Sequence, residues 1–391
     1  MEVDGKKGLC KMKRLLIIPI SILSVAVLVE VVLRLFKPQL TYSAVNKYNL
    51  SCLYKDKILP FSLSKSSRCH MAAYFGDYNT YGTINSLGFR GKEFNFEKKA
   101  GLKRILILGD SMTFGLGVTD DQTFPYQLEE ILKQKQPNTE VINAGYADGF
   151  SPDSFYLFMQ DRGWNLKPDV VMMAFFIYND LADLSETVWE ETDEHGLPLK
   201  ITSCCRVVDG GNLRSRSINF KYKNPILREL HIYFLLANYW EKHVKTRETV
   251  ENSVVKRDSL QGCTLVKDCL EVNFKQEEEK TFKVISELGR LAETKGIKFI
   301  IAILPVDYQL YNDVTGKYGA IFIPDENYKT FLQDRLKEKF KSSGIDFIDL
   351  YPVFDSQRIR GYPFYKNDAH FNRLGNKIVA EALADYLIGQ K

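Results

Sequence analysis

Charge of one sign is nowhere concentrated in this 391-residue sequence: 53 Lys and Arg stand against 49 Asp and Glu, interleaved nearly everywhere, for a formal net charge of +4. With no basic stripe to track a phosphate backbone, nucleic acid is not an expected partner. Cysteine is sparse, seven in all, and none falls in a CxxC pair. Zinc-type spacing is therefore missing, and neither a metal nor a cofactor is assigned. Internal repeats and low-complexity tracts are lacking too. The hydrophobic and charged fractions, 45% and 26%, are those of a folded protein, and the length suits one large domain or two ordinary ones.

What is present begins with an apolar stretch from Leu15 to Phe36, opening as LLIIPISILSVAVLV and interrupted only by Glu30 and Arg34. It is long enough to span a hydrocarbon core once its end residues snorkel. Lys6, Lys7, Lys11, Lys13 and Arg14 precede it, so the positive-inside tendency puts residues 1–14 in the cytoplasm and the rest in the periplasm or outside the cell. A cleaved signal peptide is the rival reading, but no small-x-small cleavage site follows the run, which favours an uncleaved anchor over 15–36. Six cysteines then lie beyond the membrane, where disulfides are permitted. Cys52 with Cys69 and Cys263 with Cys269 are the sequence-near pairs.

From residue 103 the pattern alternates. Short apolar runs at Arg104–Leu108, Glu140–Asn143, Asp169–Phe176, Lys298–Leu304 and Asp346–Leu350 read as five buried strands. Helical stretches fall between and after them: Phe124 to Lys135; Pro152 to Gly163, opened by Ser151; Glu277 to Lys295; and Asn372 to Leu387. Strands separated by helices argue for a parallel sheet covered on both faces. The expected organisation is a linker and N-terminal extension over 37–102 and an α/β domain over 103–391. An insertion at about 185–275 interrupts that domain, includes an aromatic-rich helical stretch from Pro225 to Lys245, and connects onward through a polar segment from Ser253 to Asp258. It is placed over the carboxyl ends of the strands, as a cleft wall or as surface decoration.

Ligands of open parallel sheets bind where strands end. The first strand ends in Gly109-Asp110-Ser111-Met112-Thr113-Phe114-Gly115, a serine on a tight turn. Alone, those letters are ordinary turn chemistry. The next two strands, however, end in Asn143-Ala144-Gly145 and Ile177-Tyr178-Asn179-Asp180, and the C-terminal part carries Asn367-Asp368-Ala369-His370-Phe371-Asn372. Histidine is scarce, five in all, and an imidazole is the base whose pKa suits removal of a serine proton near neutrality. His70, His195, His231 and His243 lie outside these blocks and are given no catalytic role.

As a set and in this order, the four blocks resemble the SGNH hydrolase family, also called GDSL esterases and lipases. The likeness runs from about Lys103 onward apart from the insertion. The texts Gly109 to Val118, Lys167-Pro168-Asp169-Val170-Val171 and the upstream Asn85 to Gly91 look like the family's membrane-anchored bacterial branch, some of whose relatives handle acylated polysaccharides. The resemblance implies a three-layer α/β/α sandwich with a parallel five-stranded sheet in flavodoxin-like order, accompanied here by the N-terminal transmembrane helix and a helical insertion. It implies Ser111 as nucleophile, His370 as base and Asp368 as the acid orienting it. The oxyanion hole would be built from the Ser111 and Gly145 N–H groups and the Asn179 amide, each donor worth roughly 3–4 kcal/mol in the barrier. The commonest family pattern sets the acid three residues before the histidine; here that position is Asn367 and the acid stands two before. The expected function is hydrolysis of an ester, such as a small acyl group on a carbohydrate or cell-envelope polymer, through an acyl-serine intermediate. Transfer of the acyl group to a polysaccharide hydroxyl uses the same residues, and an inactive membrane-tethered assembly factor is the third reading.

Overall fold

Five runs of branched and aromatic side chains build the centre of the fold, because a strand covered on both faces has no position for a solvated residue. In the computed structural model, which describes residues 3–39, 41, 43, 51–73, 76–147, 149–215, 223–240, 274–311 and 329–389, they form β1 (Lys103–Gly109), β2 (Thr139–Gly145), β3 (Val170–Phe176), β4 (Lys298–Leu304) and β5 (Asp346–Asp349). All neighbours are parallel and the spatial order is β5-β4-β3-β1-β2. This is the expected flavodoxin-like arrangement, and the order reverses direction at β1. Ile105 to Leu108, Val171 to Phe175 and Ile300 to Leu304 are fully buried. Gly109 pairs with Gly145 and Leu304 with Phe176, while Leu108 pairs with Met173, so β1 and β2 end together and β3 and β4 end together slightly farther on.

Helices cover the sheet as the 3.6-residue spacing of their apolar positions requires. Phe124–Lys133 buries Phe124, Leu128 and Leu132, and Lys275–Thr294 buries Val284, Ile285, Leu288 and Ala292. Arg373–Gly389 lies against Phe124–Lys133, and its Asn376 Oδ1 accepts the Phe124 N–H at 3.0 Å, satisfying a helix-start donor. The stretch expected as one helix from Pro152 to Gly163 is α-helical only through Phe158 and then widens into a π turn over Met159–Gly163.

The insertion is helical at His231–Trp240, inside the expected aromatic stretch, but its earlier part is built of strands. Thr187–Thr192 pairs with Pro198–Ser203, and Arg206–Asp209 with Asn212–Ser215, as two antiparallel hairpins. The reason is local: Thr187-Val188-Trp189 is β-branched and aromatic, and Gly210-Gly211, both at positive φ, make a two-residue hairpin turn. Upstream, Leu53–Tyr54 pairs with Ser62–Leu63 and Ser67–Ala72 with Asn79–Ile84. The Cys52–Cys69 disulfide is formed, and a second joins the adjacent Cys204 and Cys205. Cys263, Cys269 and the connection from Ser253 to Asp258 lie outside the described residues.

The chain divides into two units, Tyr48–Arg216 with Val254–Lys391, and Met1–Lys47 with Ser217–Ser253. The first holds everything above. In the second, the helix Val3–Phe36 includes a 19-residue apolar span, Ile18–Phe36, and packs against the helix His231–Trp240.

Candidate active site

Ser111 opens a single helical turn, Ser111–Phe114, directly after β1. Asp110 caps it, its Oδ1 accepting the Met112 N–H at 2.9 Å. Two glycines make the turn possible. A Cβ on Gly109 would lie 2.0 Å from Thr113 Oγ1, and one on Gly145 would lie 2.2 Å from the Phe114 nitrogen. From β2, Asn143 donates through Nδ2 to the Thr113 carbonyl at 2.9 Å. The upstream Arg90, buried and paired with Asp120 at 2.6 Å, stacks its guanidinium over Phe114.

The C-terminal block arrives on the loop before Arg373–Gly389. His370 Nε2 lies 2.7 Å from Ser111 Oγ, and His370 Nδ1 is hydrogen-bonded to Asp368 Oδ1. The same carboxylate oxygen accepts the His370 backbone N–H at 2.9 Å. A spacing of two residues therefore suffices: the acid closes on the ring and the backbone of its own loop at once. Ser111, His370 and Asp368, named from the sequence, meet in one relay.

Four residues given no role in the sequence analysis hold this loop. Tyr78 donates to Asp368 Oδ2 at 3.2 Å, and Asp77 accepts from the Asn367 N–H at 3.1 Å. Tyr365 donates to the Gly117 carbonyl at 2.7 Å, tying the loop to the nucleophile side, and Asn372 Nδ2 reaches the Phe364 carbonyl at 2.7 Å. Asp77 and Tyr78 lie some 290 residues away in a stretch of ordinary composition, so no local signal marks them.

The oxyanion-hole candidates flank the serine, with engagements of their own. The Gly145 N–H donates to Asn143 Oδ1 at 2.9 Å. The Asn179 amide donates to Asp183 Oδ2 at 2.7 Å and also interacts with the Asp110 carboxyl. Asp183 also borders a small pocket with Phe61, Thr187, Ser203 and Arg206, so the insertion hairpins do reach the Asn179 side of the site.

Burial and charge then sort the carboxyls. Burial raises the affinity of Asp368 for a proton, but the His370 charge and its two hydrogen bonds outweigh burial and hold Asp368 well below the usual carboxylate range. For Asp110 burial wins and pushes it up to about 6, against the pull of the Met112 N–H, the His370 charge and the Asn179 side chain. Asp180, whose Oδ2 accepts the Phe176 N–H at 2.9 Å, is raised well above the ordinary carboxylate value by burial and by the Asp110 charge. Asp110 Oδ2, Asp180 Oδ1 and Asn179 Oδ1 are buried without a hydrogen-bond partner.

Ser111, His370 and Asp368 meet at the carboxyl edge of a five-stranded parallel sheet, and the sequence comparisons find an SGNH hydrolase-like match in the C-terminal third of the chain. Residues 267–390 match the family model described as the SGNH hydrolase-like domain of the acetyltransferase AlgX, a stretch that holds Asp368 and His370 but not Ser111. Over 108 residues the chain is 26% identical to the probable alginate O-acetylase AlgJ of Pseudomonas aeruginosa, which covers 28% of this chain and 26% of that protein. The match thus spans about a quarter of the curated relative. Among solved structures, the acetyl xylan esterase AlAXEase is 16% identical with a TM-score of 0.38, covering 73% of this chain and 99% of that one. An acetylxylan esterase from Geobacillus stearothermophilus is 14% identical with a TM-score of 0.37, covering 73% and 94%.

Proposed function

We propose that this chain is a serine enzyme that cleaves an ester on a carbohydrate or cell-envelope polymer through an acyl-serine intermediate, held at a membrane by Ile18–Phe36. The observation that carries the reading is the unbroken relay from Ser111 Oγ through His370 to Asp368. As Ser111 Oγ attacks the carbonyl carbon, its proton passes to His370 Nε2, and Asp368 stabilises the imidazolium that results. The carbonyl oxygen becomes an alkoxide facing the Ser111 N–H, with the Asn179 amide and the Gly145 N–H joining as their present partners release them. Collapse breaks the ester bond, and His370 returns its proton to the departing alcohol, which leaves an acyl group on Ser111. An incoming hydroxyl, deprotonated by His370, then attacks the acyl carbon and frees the serine.

If that hydroxyl belongs to water, the enzyme is an esterase; if it belongs to a sugar, the enzyme is an O-acyltransferase. The transferase reading is favoured by the family match, whose description names an acetyltransferase. A fluorophosphonate probe and p-nitrophenyl acetate test the chemistry common to both. Labelling should vanish in Ser111→Ala, and turnover should fall about 10³–10⁴-fold in Asp368→Asn, as when the orienting acid of a serine triad is replaced. Labelling that survives in Ser111→Ala would remove Ser111 as the nucleophile. With an acyl-labelled donor and an acceptor polysaccharide, label kept on the polymer identifies a transferase, and free acid alone a hydrolase.

A further inference from the structure

Glu30 sits inside the apolar span Ile18–Phe36, six residues before its end. At 1.5 Å per residue that is about 9 Å from the end of the span. A carboxylate at such depth needs partners, and it has them. Its Oε1 accepts the His231 N–H at 3.0 Å and its Oε2 the Ile232 N–H at 2.9 Å, the first donors of the helix His231–Trp240. Arg34 pairs with Glu30 at 2.8 Å and also donates to the Glu229 carbonyl at 3.3 Å. The Gln39 N–H, just past the span, donates to His231 Nδ1 at 2.7 Å.

These bonds fix the start of His231–Trp240 at the level of Glu30. Along the long helix, Ala26, Val29, Glu30 and Leu33 are the residues covered, spaced i, i+3, i+4 and i+7, while the other sides of the span stay open. The shorter helix, HIYFLLANYW, is apolar around most of its circumference, which suits a protein core or a membrane. Phe234 is buried. Ile226, Leu236, Tyr239 and Trp240 remain 73%, 62%, 64% and 46% exposed. Tyrosine and tryptophan around a leucine-rich surface form the side-chain set that favours the headgroup boundary of a bilayer.

We propose that the segment from Ile226 to Trp240 is a second membrane contact, seated in the interfacial layer beside the point where the anchor leaves the bilayer. The occupant of its open face is lipid, because that face continues the lipid-facing surface of Ile18–Phe36 and begins at a depth of about 9 Å, within the roughly 5–10 Å to which interfacial helices bury. The inference rests on reading Ile18–Phe36 as spanning. It gives the excursion from the domain a destination: the chain returns to the membrane.

The test uses the full chain in lipid bilayers, with Trp164→Phe and Trp189→Phe so that Trp240 alone reports. Emission should be blue-shifted, lost when the lipid carries bromine high on its acyl chains, and insensitive to iodide in the water. A companion protein, with all three tryptophans changed to Phe and Leu28→Trp added, reports on the anchor. Quenching of the Leu28→Trp reporter by brominated lipid without quenching of Trp240 would overturn the proposal and leave the anchor standing. Loss of neither signal would overturn both. Cross-linking of two copies through Leu236→Cys, with Trp240 untouched by brominated lipid, would replace lipid by a second chain as the occupant.

Discussion

Asp110 and Asp368 are driven in opposite directions, because the charge and hydrogen bonds of His370 outweigh burial at Asp368, whereas burial outweighs the weaker pulls at Asp110. The sign of each contribution to stability follows. Asp368, lowered in the folded state, contributes stability that is fully present above the ordinary carboxylate pKa and is lost as the pH falls through its folded value. Asp110 is raised from 3.8 to about 6, so its contribution is fully present below 3.8 and is lost as the pH rises through about 6. Asp110→Asn keeps the buried shape and replaces the titrating carboxyl with an amide that carries its own donor. Relative to the parent, the variant is therefore expected to gain stability as the pH rises from 4 to 7. Urea unfolding at several pH values measures it, and a constant difference between the two proteins across that range would remove Asp110 as the titrating group. Of the relay, Ser111 and His370 were readable because strand ends and rare residue types mark themselves. Tyr78 was not, since a tyrosine acquires that role only through a fold that brings it across the chain.

Elements were legible in proportion to how completely they are buried. The five sheet strands are short apolar runs, and a run such as Lys298–Leu304 has no other stable place to go. The insertion is helical where its aromatic stretch lies, at His231–Trp240, and strand-built in the polar stretch before it, where Gly196 and Gly210-Gly211 mark hairpin turns. The π turn at Met159–Gly163 carries no periodicity of its own to read. Near the N-terminal hairpins, the Cys52–Cys69 bridge closes a loop with a sequence separation of 17. Loop-closure entropy assigns such a bridge about 3 kcal/mol. Changing both cysteines to Ala should lower the thermal midpoint by several degrees while leaving probe labelling of Ser111 intact at low temperature, because neither cysteine touches the relay. An unchanged midpoint would mean that the bridge constrains nothing that the fold does not already constrain.

At the scale of the whole molecule, the site is assembled from places far apart in the chain, Asp77 and Tyr78, Ser111, Asn179, and the loop from Tyr365 to Asn372, and sheet topology is what brings them together. The distance between Ser111 and His370, 259 residues, has a consequence in time. Polypeptides are made from the amino end, so the serine turn is complete long before any base exists to activate it. If Ser111 and His370 act as proposed, a growing chain is chemically silent toward esters while it is being made and moved to its destination, and becomes reactive only when the loop from Tyr365 to Asn372 folds back onto β1. A stop codon after Ser356 should accordingly yield a protein that never takes up the fluorophosphonate probe, however much of it accumulates. The enzyme needs no separate inhibitor during its own synthesis, because the order in which its parts appear already supplies one.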